Sequence, residues 1–136
     1  MKRTFDAPLE NVWKALTDYE LMKQWYFDIP GFKAEKGYKF QFMGGPEDGI
    51  KYLHLCEITE VVPEKKLTYS WRYEGYEGIS YVTFELSPDG DQTTLVLSHI
   101  GLESFPASNP DFAVGNFVEG WNHIFNISLT NFLENN

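Results

Sequence analysis

At 136 residues the chain has the size of one ordinary domain, long enough to bury a core without disulfides or metal. Its 20 acidic and 11 basic residues give a formal charge of −9, and such a surface repels the phosphates of nucleic acids and anionic membranes. Cys56 is the only cysteine, which excludes an intrachain disulfide and a cysteine-based metal site and favours a reducing compartment. The sequence contains neither a signal-peptide apolar segment nor a run of about 18 apolar residues. We therefore expect one cytoplasmic domain over residues 1–136 that binds neither nucleic acid nor membrane.

The first thirty residues predict a short strand followed by two short helices. Lys2–Phe5 is long enough only for a short strand. Pro8 suits the first turn of a helix that ends near Thr17, because the missing N–H of proline is harmless there. Asp18 is a good N-cap for the second helix, and Pro30 closes this unit.

From residue 37 the apolar residues recur with period two, which predicts a mostly antiparallel sheet. The predicted strands are residues 38–42, 50–62, 67–73, 80–86 and 95–99. Both faces of the strand over 50–62 are partly apolar, which a β-bulge explains without fixing its position. The composition of residues 44–49 predicts a loop, and residues 88–90 predict a hairpin turn.

Residues 112–133 predict one long terminal helix with a broad apolar face. The residues in the helical pattern are Val114, Phe117, Val118, Trp121, Ile124, Phe125, Leu129, Phe132 and Leu133. Gly115 and Gly120 each lower helix stability by roughly 1 kcal/mol relative to alanine. We therefore expect backbone or bulky groups to approach closely at both glycines. The order of elements places the chain in the α+β class.

Ordered motifs along nearly the whole chain resemble the START-like (helix-grip, SRPBCC) superfamily, and within it the homologues of the C-terminal domain of the heat-shock protein 90 ATPase activator. The motifs are Phe5-Asp6-Ala7-Pro8, Val12-Trp13, Ala15-Leu16-Thr17-Asp18, Trp25, Glu57-Ile58, Leu67-Thr68-Tyr69-Ser70-Trp71, Val82-Thr83-Phe84-Glu85-Leu86, Pro88-Asp89-Gly90, Thr94-Leu95 with His99, and Gly120-Trp121. The resemblance implies a curved antiparallel sheet of about six strands, with two short helices and a long C-terminal helix packed across it. It also implies an elongated apolar pocket between helix and sheet, which in relatives binds lipids, hormones or polyketides, and a chaperone as a second kind of partner.

Candidate ligand-binding residues are those expected to face this pocket. From the sheet they are Phe40, Phe42, Tyr69, Trp71, Phe84, Leu97 and His99, and from the helix Trp121, Phe125 and Ser128. These side chains either line a cavity or fill the space as ordinary core, and the sequence leaves both open. Tyr69, Trp71 and His99 are the stronger candidates because their polar tips need hydrogen-bond partners when buried.

The sequence offers little support for catalysis, metal or cofactor binding. His54, His99 and His123 are far apart and show no metal-ligand spacing, so we expect no metal and no cofactor. Cys56 has no evident base, and the chain has neither a nucleophile-elbow motif nor a phosphate-binding loop.

Strand alternation bears on the remaining acid–base candidates. If Phe84 faces the pocket, Tyr81 and Glu85 face solvent, which leaves the pocket without an acid–base pair. The leading hypothesis is therefore a non-catalytic binding module for a small hydrophobic or aromatic ligand. The alternative is a protein-interaction domain of the co-chaperone type, and a cyclase or dehydratase is the minority hypothesis.

Overall fold

A computed structural model of the chain describes residues 1–46 and 48–134. Its elements are β1 (Lys2–Phe5), α1 (Leu9–Thr17), α2 (Tyr19–Met22), β2 (Lys39–Gly44), β3 (Tyr52–Val62), β4 (Lys66–Tyr73), β5 (Ser80–Asp89), β6 (Gln92–Ile100), α3 (Val114–Trp121), a π-helical segment (Asn122–Leu129) and α4 (Thr130–Glu134). The strands form one antiparallel sheet in the order β1-β6-β5-β4-β3-β2. This confirms the predicted α+β helix-grip fold. No helix in the described ranges is long and apolar enough to cross a lipid bilayer.

The second helix begins at its predicted cap, whereas Pro8, predicted in the first turn of the first helix, is the residue just before that turn. The Asp18 carboxylate accepts hydrogen bonds from the backbone N–H groups of Glu20 and Leu21, which fixes the start of α2. The Trp25 indole N–H donates to the Ala15 carbonyl at 2.8 Å and ties the chain after α2 to α1. The two short helices therefore pack as one unit.

The sheet has an inner face covered by the helices and an outer face without them. Residues on the inner face alternate regularly as buried side chains along β2, β3 and β5. In β3 the register shifts between Ile58, which pairs with Tyr69, and Glu60, which pairs with Thr68. Thr59 is the extra residue, and this bulge puts Val61 on the same face as Ile58, whereas Leu53 and Leu55, which precede it, are half-buried on the outer face. The predicted loop over residues 44–49 includes Glu47, which lies outside the described residues, and its first residue, Gly44, instead ends β2.

The terminal helix runs across the inner face, but its middle is π-helical rather than α-helical. Its buried residues, Trp121, Phe125, Leu129 and Leu133, recur at every fourth position. In an α-helix of 3.6 residues per turn a four-residue step overshoots one turn by about 40°. The wider turns of a π-helix, with i→i+5 hydrogen bonds, reduce this drift and keep these side chains on the sheet. Phe112, predicted to begin the helix, lies instead in a separate 3₁₀ turn, Pro110–Phe112.

The first turns of the terminal helix differ from the sequence prediction. Nothing lies within 4 Å of where a Cβ would stand at Gly115 or at Gly120, so the expected close approach is wrong. Val114 and Val118 are more than half exposed, and only Phe117 and Trp121 of α3 turn toward the body of the protein. The predicted apolar face therefore holds at Phe117 and from Trp121 onward, but not at Val114 and Val118.

Candidate functional site

The inner face of the sheet and the terminal helix meet in a group of aromatic side chains, which we call the aromatic cluster. Its members are Phe40, Phe42, Tyr69, Trp71, Phe84, His99 and Trp121. Trp71 and Trp121 have ring centroids 5.7 Å apart, and Phe84 packs edge-on against Trp121 at 6.1 Å. All members are at most 7% exposed except His99, which is half-buried. The structure thus brings together seven of the residues predicted for the site.

The other predicted residues lie beside this cluster. Leu97 is buried and pairs with Phe84 across β5 and β6. The Phe125 ring packs edge-on against Phe5 of β1, with centroids 5.6 Å apart. Ser128 is half-buried in the π-helical segment.

A chain of hydrogen bonds runs through the cluster and connects the terminal helix to the sheet. The Trp121 indole N–H donates to Nδ1 of His99 at 2.9 Å, so this nitrogen carries no proton. Nε2 of His99 is then the protonated nitrogen and donates to the Ser80 hydroxyl at 2.7 Å. The Ser80 hydroxyl in turn donates to the Trp71 carbonyl at 2.9 Å. These partners fix the neutral tautomer of His99.

This arrangement limits the chemistry open to Ser80 and His99. Activation of a serine needs a histidine nitrogen that accepts the hydroxyl proton, and both nitrogens of His99 are already engaged. Burial lowers the pKa of His99 to about 4, which keeps the ring neutral near neutral pH. Tyr81 and Glu85 are exposed on the outer face, as strand alternation suggested, because Phe84 faces inward.

The hydroxyl groups of tyrosines provide hydrogen-bond partners for the remaining polar groups of the cluster. The hydroxyls of Tyr26 and Tyr69 lie 2.7 Å apart, and the Tyr26 ring is nearly parallel to that of Trp121 at 6.2 Å. The Trp71 indole N–H donates to the Tyr73 hydroxyl at 2.9 Å. Burial raises the pKa of Tyr26 and of Tyr69 and raises that of Tyr73 to about 12. These phenols are therefore neutral hydrogen-bonding groups.

His54 is a further buried polar group next to the cluster. Its ring stacks on Phe42 at 4.5 Å and meets Trp71 edge-on at 4.8 Å. Its Nδ1–H donates to the Tyr52 carbonyl at 2.9 Å, yet desolvation prevails and lowers the pKa of His54 to about 4. In the part of the chain that the structure describes, no three His, Cys, Asp or Glu residues are grouped to hold a metal ion.

Comparison with known proteins identifies the family of the chain. Residues 6–134 match the family described as "Activator of Hsp90 ATPase homolog 1-like protein". The chain belongs to this family.

The family is START-like in fold, and its relatives differ in length. The chain is 29% identical over 110 residues to "Activator of 90 kDa heat shock protein ATPase homolog 2" of Mus musculus, covering 79% of this chain and 31% of that protein. The chain thus spans less than a third of the curated relatives it matches. Two solved structures agree over almost the whole chain. Protein MLL2253 from Mesorhizobium loti has a TM-score of 0.78 at 29% identity, with 98% of this chain and 93% of that chain covered. CalU16 from Micromonospora echinospora has a TM-score of 0.73 at 28% identity, with 97% and 73% covered.

Five residues at the site were not selected from the sequence, for different reasons. They are Tyr26, Phe27, His54, Tyr73 and Ser80, and Phe27 stacks on Phe42 with ring centroids 4.2 Å apart. The period-two pattern places His54 on the same face of β3 as Tyr52 and Cys56. Because the opposite face also carries apolar residues, the sequence does not show which of the two faces points inward. Tyr26 and Phe27 follow α2 in irregular structure, where no period indicates direction. The one sequence feature that could have indicated these two residues is that they are adjacent aromatic residues just after a short helix.

Two pockets in the described ranges are lined by none of Trp71, His99 and Trp121, although Phe40 of the aromatic cluster borders the first. One, of about 390 Å³, is a groove on the outer face across β2, β3 and β4. The other, of about 620 Å³, lies beside the β3–β4 turn and the end of β5. Within the aromatic cluster the rings contact one another, and a ligand cavity there stays a prediction.

Proposed function

We propose that this chain is a non-catalytic binding module that holds a small hydrophobic or aromatic molecule between the terminal helix and the sheet. The observation that carries the proposal is a chain of hydrogen bonds, from Trp121 through the half-buried His99 to Ser80, set among aromatic rings. Such sites combine apolar walls with a few placed polar groups that orient a ligand. The engaged nitrogens of His99 support the non-catalytic part of the proposal.

The rings of the aromatic cluster contact one another, so a ligand can enter only if an element moves. The element best suited to move is α3. Phe117 contacts the rings of Phe105 and His99, at 6.1 and 5.4 Å, and Trp121 supplies the other inward side chain of α3. An eight-residue helix with two glycines is weak by itself. Moving α3 outward separates the ring contacts of Phe117 and Trp121 and exposes the polar edges of the cluster to a ligand.

The chemistry of the cluster indicates the kind of ligand. Indole and phenol faces favour a planar or aliphatic apolar body, which gains burial and ring contacts. Indole N–H and phenol O–H groups offer hydrogen bonds to one or two oxygens of the ligand. A neutral ligand fits best, because the polar groups around it are themselves neutral.

A titration with Nile red, a neutral fluorescent dye sensitive to its environment, tests the proposal. We expect saturable binding by the wild-type protein, weakened by about tenfold or more in Trp121→Phe, because that change removes the indole N–H and part of the stacking face. Trp13→Phe is the matched control, since Trp13 lies on α1 outside the cluster. Absence of saturable binding, or equal weakening by both substitutions, would contradict the proposal.

A second candidate function is binding to heat-shock protein 90, which the family match over residues 6–134 favours. The matched relatives are named as activators of its ATPase, and this chain corresponds to less than a third of their length. A pull-down with purified heat-shock protein 90, followed by an ATPase assay with increasing amounts of this chain, tests it. Saturable binding with a change in ATPase rate is the expected result, and no binding would remove this candidate.

A further inference from the structure

One half of the outer face carries apolar side chains that no helix covers. We call these the outer patch: Met43, Leu53, Leu55, Ile79, Tyr81 and Ile100. Met43 is 57% exposed and Ile100 is 65% exposed. Met43 pairs with Leu53 at one end of the patch and Tyr81 pairs with Ile100 at the other, and a groove lined by Leu55, Arg72 and Ile79 lies between them. Exposed apolar side chains grouped in this way are typical of an interaction site.

Arg72 lies at the centre of the outer patch. It pairs with Leu55 across β3 and β4, and it lines the 390 Å³ groove with Leu55 and Ile79. Across residues 1–46 and 48–134 the ion pairs are Lys23–Glu20 and Lys66–Glu60, so Arg72 has no carboxylate partner there. An arginine among tyrosine and aliphatic side chains is the composition of an interface hot spot.

The charge of the groove is opposite to that of the whole chain. Lys39 and Arg72 line it with one acid, Glu57, which gives a local charge of 2 − 1 = +1 on a chain of net charge −9. The guanidinium of arginine is suited to a carboxylate, which it binds through two parallel hydrogen bonds. The groove is therefore complementary to an acidic partner.

The width of the outer patch favours a protein over a small molecule. The patch extends from β2 to β6, and four strand spacings of about 4.8 Å give roughly 19 Å. A small carboxylate would occupy the groove alone and leave Met43 and Ile100 uncovered.

We propose that the outer patch is a docking surface for a protein segment that places a carboxylate against Arg72 and apolar side chains on Leu55, Ile79 and Tyr81. The surface lies on the opposite side of the sheet from the aromatic cluster. It does not depend on ligand binding in the interior.

Selection of a random dodecapeptide library on the immobilised protein tests this inference. The selected peptides are expected to carry Asp or Glu flanked by apolar residues. Their affinities, measured by fluorescence anisotropy, should fall about tenfold or more in Arg72→Glu and clearly in Ile100→Ser. Both positions are exposed, so the fold tolerates these changes. Lys14→Glu, the same charge change on exposed α1, is the matched control and should leave binding within about twofold.

Several outcomes would overturn the inference. They are the absence of enriched peptides, equal weakening by Arg72→Glu and Lys14→Glu, and peptide binding that is lost in Trp121→Phe instead. A parallel titration with sodium octanoate distinguishes a protein segment from a small carboxylate as the ligand of the patch. Octanoate that binds as tightly as the peptides and competes with them would show a small-carboxylate site rather than a protein-docking surface.

Discussion

Mild acid should destabilise this protein, because His54 is held neutral against the aromatic cluster. Its side chain is 5% exposed, and desolvation lowers its pKa from 6.5 to about 4. Between these values the unfolded chain binds a proton that the folded chain does not. The free energy of unfolding therefore falls as the pH is lowered through this window. Well above pH 6.5 both states are neutral at this position, and the full stability is present.

The size of the effect follows from the two pKa values. A pKa lowered from 6.5 to about 4 corresponds to about 3 kcal/mol, most of which is lost by pH 4.5. The pKa of His99 is also lowered to about 4, so its protonation acts in the same direction. Its contribution is smaller, because His99 is only half-buried and solvent offsets part of the penalty.

Urea unfolding, followed by tryptophan fluorescence at pH 7.0 and pH 4.5, measures this loss. We expect His54→Gln to lose about 2–3 kcal/mol less than the wild type between the two pH values. His123→Gln, a change on the exposed side of the terminal helix, should lose as much as the wild type. Carboxylates also titrate in this range, but all three proteins share them, so their effect cancels. An equal loss in His54→Gln and wild type would refute the reasoning.

Three further outcomes are expected from the same structure. Gly115→Ala and Gly120→Ala should each raise the free energy of unfolding by up to about 1 kcal/mol in urea titrations, since a methyl group meets open space at both positions. A loss of stability would show that one of these glycines is needed. Trp121→Ala should lower the free energy of unfolding by about 3–5 kcal/mol, the range for a large buried aromatic, and a loss below about 1 kcal/mol would exclude a core role. EDTA should leave the melting temperature unchanged, and a drop that zinc restores would overturn the expectation of no structural metal.

Much of the fold could be predicted because its signals are local. Asp18 caps α2 through its own side chain. The alternation of Phe40 and Phe42 with polar neighbours indicates a half-buried strand without reference to distant residues. Phe84 and Glu85 were assigned to opposite faces for the same reason. The terminal helix was also visible from its apolar repeat from Trp121 onward.

The remainder depends on long-range packing. The bulge at Thr59 is set by pairing with β4, and the π-helical segment by the need to keep Trp121 and Phe125 on one curved sheet. The hydrogen bond between His99 and Trp121 joins residues 22 positions apart, and no local pattern indicates it. The glycines of α3 were misjudged because an open surface and a close approach both accommodate glycine.

Native mass spectrometry of the protein purified from cells tests the central claim most directly. We expect a population whose mass exceeds that of the chain by one small molecule. Organic solvent should release this molecule, and Trp121→Phe should reduce its occupancy while Trp13→Phe does not. The bare chain mass alone, from wild-type protein purified without denaturation, would contradict a ligand held between the terminal helix and the sheet.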